Sequence, residues 1–150
     1  MNILALDLGQ NCGWAMSVVG KIQSGVWSLK PTRFDSHGVR FLTFKRHLEF
    51  EIVIGSVDKI FFESVRKHIG TDAAHAYGGY VAIVQSVCLD NGIPYEGVPV
   101  QTIKKHATGK GNADKQQMVD AAIKQFKNIN IIDDNHADAL WLLDYALTLS

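Results

Sequence analysis

Two short apolar runs in the sequence, NILALD and IFFE, each end in a carboxylate. Asp7 ends the first run and Glu63 ends the second. A carboxylate at the carboxyl end of a strand opens onto the crevice where open α/β sheets bind their ligands. Each acid also has an ordinary interpretation, because Asp7 before Gly9 is typical of a turn and Glu63 suits a solvated strand end. Their shared placement favours a functional role for both.

A third candidate acid is Asp138, which interrupts the apolar run NHADALWLL. A carboxylate packed in such a run without a partner would be costly. Asp134 lies four residues earlier, so on a helix the two side chains share one face with Cβ atoms about 5–6 Å apart. Like charges at that distance repel, and a cation relieves the repulsion. Helix capping is the alternative role for Asp134, and Asp133 could serve as the cap instead.

The acids together predict a particular kind of metal site. A carboxylate set with no cysteine cluster offers oxygen ligands, which suit a hard cation such as Mg²⁺ or Mn²⁺. Two such ions about 4 Å apart can activate a water and stabilise the leaving oxygen of a phosphodiester. The sequence contains no GxxxxGK[ST], GxGxxG, HExxH or GxSxG motif that would favour another chemistry. Metal-dependent phosphodiester hydrolysis is therefore the reaction that these residues favour.

Basic residues are concentrated in the segment TIKKHATGKGNADKQQM, where Asp114 is the one acid. A glycine-containing basic loop between two helices suits contact with a phosphate backbone, although a solvated helix pair is the plainer interpretation. Arg66 and Lys67 follow Glu63 and should lie near the acids. The residues that we expect to contact nucleic acid are Arg66, Lys67, Lys104, Lys105, Lys110 and Lys115.

Hydrophobic periodicity predicts the element order βββαβαβααα. Three strands joined by short turns should form antiparallel hairpins, and the two later strands alternate with helices. The predicted fold class is therefore α/β, with a mixed five-stranded sheet of three antiparallel strands followed by two parallel ones and with helices on both faces. NINII, residues 128–132, is predicted as a short extended segment. Tyr77 and Tyr80 fit an apolar helical stripe, which favours core or subunit packing over stacking on a base.

The composition is that of an ordinary globular domain. The chain has 150 residues, so a single domain spanning 1–150 is expected. Fifteen basic and fifteen acidic side chains cancel, so any nucleic-acid surface has to be local. Cys12 and Cys88 have no metal-type spacing, which suits reduced thiols inside a cell. With no signal-peptide pattern and no membrane span in the sequence, we expect a cytoplasmic protein.

The sequence resembles the RuvC-type Holliday junction resolvases of the RNase H-like superfamily, particularly small phage-encoded members. The resemblance is carried by LALDLGQNCGWAM, IFFE, VPVQTIKKHATGKGNADKQQM and HADALWLLDYAL, and it runs through almost the whole chain. It implies an RNase H-like fold, a homodimer, two Mg²⁺ ions per active site with Mn²⁺ as a substitute, and symmetrical nicking of four-way DNA junctions in recombination and repair. The cuts would leave 5′-phosphate and 3′-hydroxyl ends.

By position, the resemblance implies a match between three acids of this chain and three acids of the family. Asp7 matches the first-strand aspartate, Glu63 the central glutamate and Asp138 the aspartate of the final helix. Lys104, Lys110 and Lys115 fall in the family's basic DNA-contacting segment. Gly9 and Gly13 are expected to keep the chain compact where a DNA phosphate approaches Asp7.

The fourth catalytic position departs from the family pattern. The family commonly has an acid or a histidine three residues before the final aspartate, and here Asn135 occupies that position. We expect Asp134 to complete the set of catalytic and metal-binding acids. The alternatives are His136 as an assisting acid or ligand, and Asn135 as a ligand through its amide oxygen. A further alternative is that Asn135 replaces an aspartate and silences the enzyme.

Three other functions compete with a junction resolvase. One is a nuclease with broader preference that cuts forks and flaps, and another is a noncatalytic junction-binding protein. The third comes from DLGxxxxG, which also resembles a signature of actin-like and sugar-kinase folds. A chain of 150 residues is too short for the two-lobed nucleotide cleft of those proteins.

Overall fold

The computed structural model of the chain describes residues 1–68 and 70–149. The helices and strands follow the predicted order, βββαβαβααα. The strands are β1 (Ile3–Asp7), β2 (Asn11–Val18), β3 (Lys21–Ser28), β4 (Lys59–Ser64) and β5 (Tyr95–Pro99). The helices are α1 (Val39–Gly55), α2 (Thr71–Asn91), α3 (Val100–Thr108), α4 (Lys115–Gln125) and α5 (Asp134–Thr148).

The prediction that NINII forms an extended segment is wrong. Residues 128–132 form a turn and an irregular connection between α4 and α5. Ile129 and Ile131 pack against the core while Asn128 and Asn130 are exposed, which explains the alternating pattern. Alternation alone does not make a strand, because a strand also needs a sheet edge with which to pair.

The five strands form one mixed sheet in the order β3-β2-β1-β4-β5. The pairs β1–β2 and β2–β3 are antiparallel, and the pairs β1–β4 and β4–β5 are parallel. The predicted sheet is therefore confirmed. The hairpin between β2 and β3 turns at Val19-Gly20, where both residues have positive φ.

Helices cover both faces of the sheet, and the alternation along β1 decides which side chains face which layer. Ile3 and Ala5 pack in one buried cluster with α3, α4 and α5, whereas Leu4 and Leu6 pack in the other with α1 and α2. Because side chains alternate along a strand, Asp7 continues the series of Ile3 and Ala5 and faces α5.

The start of α5 packs tightly against β2. The Asp133 side chain caps the helix by accepting a hydrogen bond of 2.8 Å from the His136 backbone N–H. A Cβ on Gly13 would overlap the backbone carbonyl group of Asn135, whereas a Cβ on Gly9 would meet no atom within 4 Å. The missing side chain of Gly13 therefore makes room for the first turn of α5, so the close approach at this residue is made by protein backbone.

The two cysteines are free and buried, in agreement with the sequence prediction that they do not pair. Cys12 and Cys88 both belong to the core cluster on the α1–α2 face. Within the described residues, none of the helices has the length and apolar character needed to cross a membrane.

We predict that Gly13→Ala lowers the free energy of unfolding by about 1–3 kcal/mol, since the added methyl group overlaps backbone that cannot move without displacing α5. Urea denaturation measures the change. Gly9→Ala is the matched control and should stay within about 0.5 kcal/mol of the original chain, because its methyl group enters open space. Equal stability of the two variants would contradict the close packing of α5 on β2.

Candidate active site

Three of the predicted acids meet at one end of the sheet. Leu6 of β1 lies opposite Phe62 of the parallel strand β4, so the next residues, Asp7 and Glu63, follow side by side near the carboxyl ends of their strands. Asp138, on the second turn of α5, faces them. Carboxylate oxygens of the three residues lie within 4.8 Å of one another, and the described part of the chain contains no second cluster of this kind.

The surroundings of these acids favour their protonated forms. Burial raises the pKa of Asp7 well above its ordinary value, and the negative charges of Glu63, Asp138 and Asp134 raise it further. Burial also raises the pKa of Glu63. Burial, then the charges of Glu63 and Asp134, raise the pKa of Asp138 to about 8. Three ionised carboxylates therefore do not fit this space near neutral pH without added positive charge.

The close approach of the Asp7 and Glu63 side chains affects the two groups in opposite directions. It raises the pKa of Asp7 and acts against the effect of burial on the pKa of Glu63, as expected when Asp7 keeps the proton. Lys104 lowers the pKa of Glu63 and of Asp138, although burial remains the larger effect. The donor set consists of carboxylate oxygens, so a divalent hard cation such as Mg²⁺ or Mn²⁺ fits it chemically.

The fourth predicted acid, Asp134, lies outside this group of three. Its carboxylate is 3.7 Å from the ammonium of Lys115, and its charge still raises the pKa of Asp7 and Asp138. Asp134 is the first residue of α5, and the capping role falls to Asp133. Asp134 therefore does not cap α5, which was the alternative role that the sequence left open for it.

His136 serves the fold through both of its ring nitrogens. Nδ1 accepts a hydrogen bond of 3.0 Å from the backbone N–H of Ile132, and Nε2 lies 2.8 Å from the Ser24 hydroxyl. The residue is 2% exposed, and burial lowers the pKa of its imidazole. Both ring nitrogens have partners within the fold, which favours a structural role for His136 over the alternative of an assisting acid or ligand.

Tyr77 fixes the end of β4, a role that the sequence did not reveal. Its hydroxyl donates to the carbonyl of Glu63 at 2.8 Å and accepts from the N–H of Val65 at 3.1 Å. It thereby holds the backbone on which the Glu63 carboxylate stands. The one signal in the sequence was a hydroxyl within an apolar stripe. Tyr80 is buried at 1% exposure, which confirms its assignment to the core.

A groove of about 740 Å³ begins at Ser64, directly after Glu63. Arg66, Lys67 and Lys104 line it, and Gly111 and Asn112 form another part of its wall. Two other predicted contact residues, Lys105 and Lys110, are exposed but lie outside the lining, and Lys115 stands beside Asp134. Half of the predicted basic set therefore surrounds the groove next to the acids.

Comparison with known proteins shows similarity to solved structures but no match in sequence. No protein-family model and no curated protein sequence matches the chain. RuvC of Thermus thermophilus, solved in complex with a Holliday junction substrate, matches with a TM-score of 0.80 at 15% identity, covering 99% of this chain and 94% of that one. This chain has the RuvC fold. The RNase H-like architecture expected from the sequence resemblance is thus confirmed.

One eukaryotic and one viral resolvase also share the RuvC fold with this chain, with lower TM-scores. The yeast mitochondrial Holliday junction resolvase matches with a TM-score of 0.62 at 13% identity, covering 93% of this chain and 75% of its own. The fowlpox virus resolvase, solved with Holliday junction DNA, matches with a TM-score of 0.59 at 14% identity, covering 99% of each chain. Because these identities are low, the chemistry of the site rests on the residues of this chain.

We predict that the stability of the metal-free protein falls as pH rises from about 4 to 8. The raised pKa of Asp138 means that the folded state holds a proton which the unfolded state has released, so stability declines by up to about 1.4 kcal/mol per pH unit for that group. Asp138→Asn should make the decline shallower. Melting temperatures measured with a chelator across this range check the prediction.

In the same measurement, Mg²⁺ should raise the melting temperature more at pH 8 than at pH 5, because metal ligands must lose their protons. Asp90→Asn, which alters an exposed acid near the end of α2, is the matched control and should keep the original slope. A slope that is the same in Asp138→Asn and in the original chain would contradict the electrostatic account.

Proposed function

We propose that this protein is a metal-dependent, structure-specific endonuclease that nicks four-way DNA junctions. The observation that carries the proposal is the group of three carboxylates, within 4.8 Å of one another, at one end of a RuvC fold. The basic groove beginning at Ser64 supports it, because a nuclease must hold the phosphate backbone beside its acids. Proteins of this fold have been solved on Holliday junction DNA, which supports the same substrate here.

Asp7, Glu63 and Asp138 are the residues that would hold Mg²⁺, with Mn²⁺ as a substitute, and Asp134 is the acid that would complete a site for two ions. When bound, the metal supplies Lewis-acid chemistry that activates a water and stabilises the leaving oxygen of a phosphodiester. Asp7 is central in this arrangement, since its pKa responds to each of the other three acids.

The remaining roles belong to side chains that position the substrate and the acids. Arg66, Lys67 and Lys104 would bind the DNA backbone in the groove, and Lys104 also offsets the charge of Glu63 and Asp138. Tyr77 keeps the Glu63 carbonyl in place through its hydroxyl. The basic residues would act on phosphate or on a carboxylate, and Tyr77 acts on the backbone that carries one, which is consistent with phosphodiester chemistry.

We further propose that the protein acts as a homodimer. One chain carries one cluster of acids among its described residues, whereas resolution of a four-way junction requires cuts in two strands. Two protomers, each with one active site, would supply the pair. Analytical ultracentrifugation at the concentration of the cleavage assay measures the oligomeric state, and a strict monomer there would contradict paired cutting.

The proposed activity predicts Mg²⁺-dependent nicking of a synthetic four-way junction in preference to linear duplex, fork and flap substrates of matched sequence. Asp7→Asn should lower the nicking rate about 100-fold or more, because loss of one metal ligand removes several kcal/mol of transition-state stabilisation. Asp90→Asn should cut at the original rate. Equal cutting of all four substrates would indicate a general branched-DNA nuclease, and tight junction binding without nicking would indicate a noncatalytic binding protein.

The same assay distinguishes the roles of Asp134 and Asn135, which precede Asp138 on α5. Asp134→Asn should reduce nicking about tenfold, as expected for an acid that adds charge at the edge of the site. Asn135→Asp should leave the rate close to that of the original chain. A large gain of activity in Asn135→Asp would instead show that Asn135 silences the enzyme and that the fourth acid belongs at position 135.

A further inference from the structure

A hydrogen bond between two side chains joins α3 to α5. Nε2 of His106, on α3, lies 2.7 Å from a carboxylate oxygen of Asp144, on α5. An ionised carboxylate only accepts hydrogen bonds, so Nε2 carries the proton between them. The distance is that of a charge-assisted hydrogen bond. The two side chains are 24% and 31% exposed, so the bond is partly shielded from water, and neither residue lines the basic groove.

The imidazole of His106 also packs against two aromatic rings of α5. Its ring centroid lies 6.0 Å from that of Trp141 and 5.5 Å from that of Tyr145, both in edge-to-face arrangements. Trp141 is itself held in place, because its indole N–H donates to the carbonyl of Met118 at 3.2 Å. The side chain of His106 therefore has a defined position against α5.

Helix α3 presents different side chains to the core and to the groove. Ile103 is buried in the core cluster, and Ala107 packs against the same cluster. Gln101 and Lys104 line the groove instead. Because the backbone hydrogen bonds make α3 a stiff unit, a rotation about its axis that moves His106 away from α5 also moves Lys104.

The orientation of α3 depends on contacts outside the helix. It has 9 residues, so its own stability is marginal and its position is set by packing. Ile103 is the fully buried residue of α3. Burial of an apolar side chain is not directional, so it does not by itself fix the rotation of the helix. A hydrogen bond is directional, and the bond from His106 to Asp144 supplies that orientation.

The position of Lys104 affects both the acids and the groove. Its charge lowers the pKa of Glu63 and of Asp138, and its side chain forms part of the groove wall. The interaction between two charges weakens as their separation increases. A displaced α3 would therefore reduce the positive charge at the acids and weaken the contact with a phosphate in the groove.

We propose that His106 is a positioning residue of the nuclease, which holds Lys104 in place through the hydrogen bond to Asp144. The inference rests on the proposed function and deepens it, because it adds a residue that contacts neither the acids nor the groove. His106 acts on the reaction through Lys104. It keeps the ammonium directed towards the acids and towards the phosphate backbone.

The test is a double-variant cycle on the single-turnover rate of junction nicking with Mg²⁺. His106→Phe keeps a ring against Trp141 and Tyr145 but cannot donate to Asp144. It should lower the rate about fivefold, as expected for residues coupled in one network. In a chain that already carries Lys104→Gln, the same change should alter the rate by less than about twofold, because the residue through which His106 acts is gone.

Binding of the uncut junction, measured with a chelator, gives a second readout that does not require metal. The logarithm of the affinity falls linearly with the logarithm of the salt concentration, and the slope reflects the number of phosphate contacts. Lys104→Gln should reduce this slope by about 1, and His106→Phe should reduce it by nearly as much. The two changes together should reduce it no more than Lys104→Gln alone. A purely structural role for His106 would lower the melting temperature and leave the slope unchanged.

Three further variants identify the bond as the cause. Asp144→Ala removes the acceptor and should reproduce the effects of His106→Phe. His106→Gln is the conservative variant, because its side-chain amide can still donate to Asp144, and it should nick within about twofold of the original rate. Asp90→Ala removes an exposed acid near the end of α2 and is the matched control for Asp144→Ala, so it should keep the original rate and slope.

The inference and the proposed function fail in different ways. If the original chain nicks junctions and His106→Phe keeps the original rate and slope, the inference is overturned and the nuclease proposal stands. The same holds if His106→Phe slows nicking equally with and without Lys104→Gln, since His106 then does not act through Lys104. If the original chain neither binds nor nicks the junction, the proposed function fails and the inference fails with it.

Discussion

The repulsion among Asp7, Glu63 and Asp138 is the constraint on which the rest of the site depends. Three carboxyl groups share a partly buried space, where their pKa values rise because the charged forms are poorly solvated and repel one another. The fold nevertheless holds them together. Parallel pairing of β1 and β4 aligns the first two acids, and α5 brings the third against them. An arrangement that costs stability in the absence of a cation is suited to binding one.

Small features of the chain keep this costly arrangement in place. Gly13 lets the first turn of α5 approach β2, and Asp133 caps that turn. His136 joins the same turn to β3 through Ser24, and Tyr77 holds the backbone at Glu63. Positive charge is placed locally, around the groove beside the acids, although the net charge of the chain is zero. The same end of the sheet therefore places a group of acids beside a group of basic side chains.

The sequence predicted the parts of the site that follow from local pattern. The strand ends at Asp7 and Glu63 could be recognised because each apolar run stops at an acid, and Asp138 because it interrupts an apolar helix. Features that depend on distant packing could not be recognised. The role of Gly13 requires knowing that α5 crosses β2, and the contact between His136 and Ser24 joins residues 112 positions apart. NINII was misread because alternation does not reveal whether a pairing edge exists.

Titration calorimetry of Mg²⁺ into the protein at pH 7, in two buffers with different ionisation enthalpies, tests the central claim most directly. The account predicts saturable binding accompanied by proton release, because carboxyl groups with raised pKa values must give up protons to the cation. Asp7→Asn should lose most of the binding and of the released protons. Absence of saturable binding, or identical titrations of Asp7→Asn and the original chain, would contradict the assignment of these acids as a metal site.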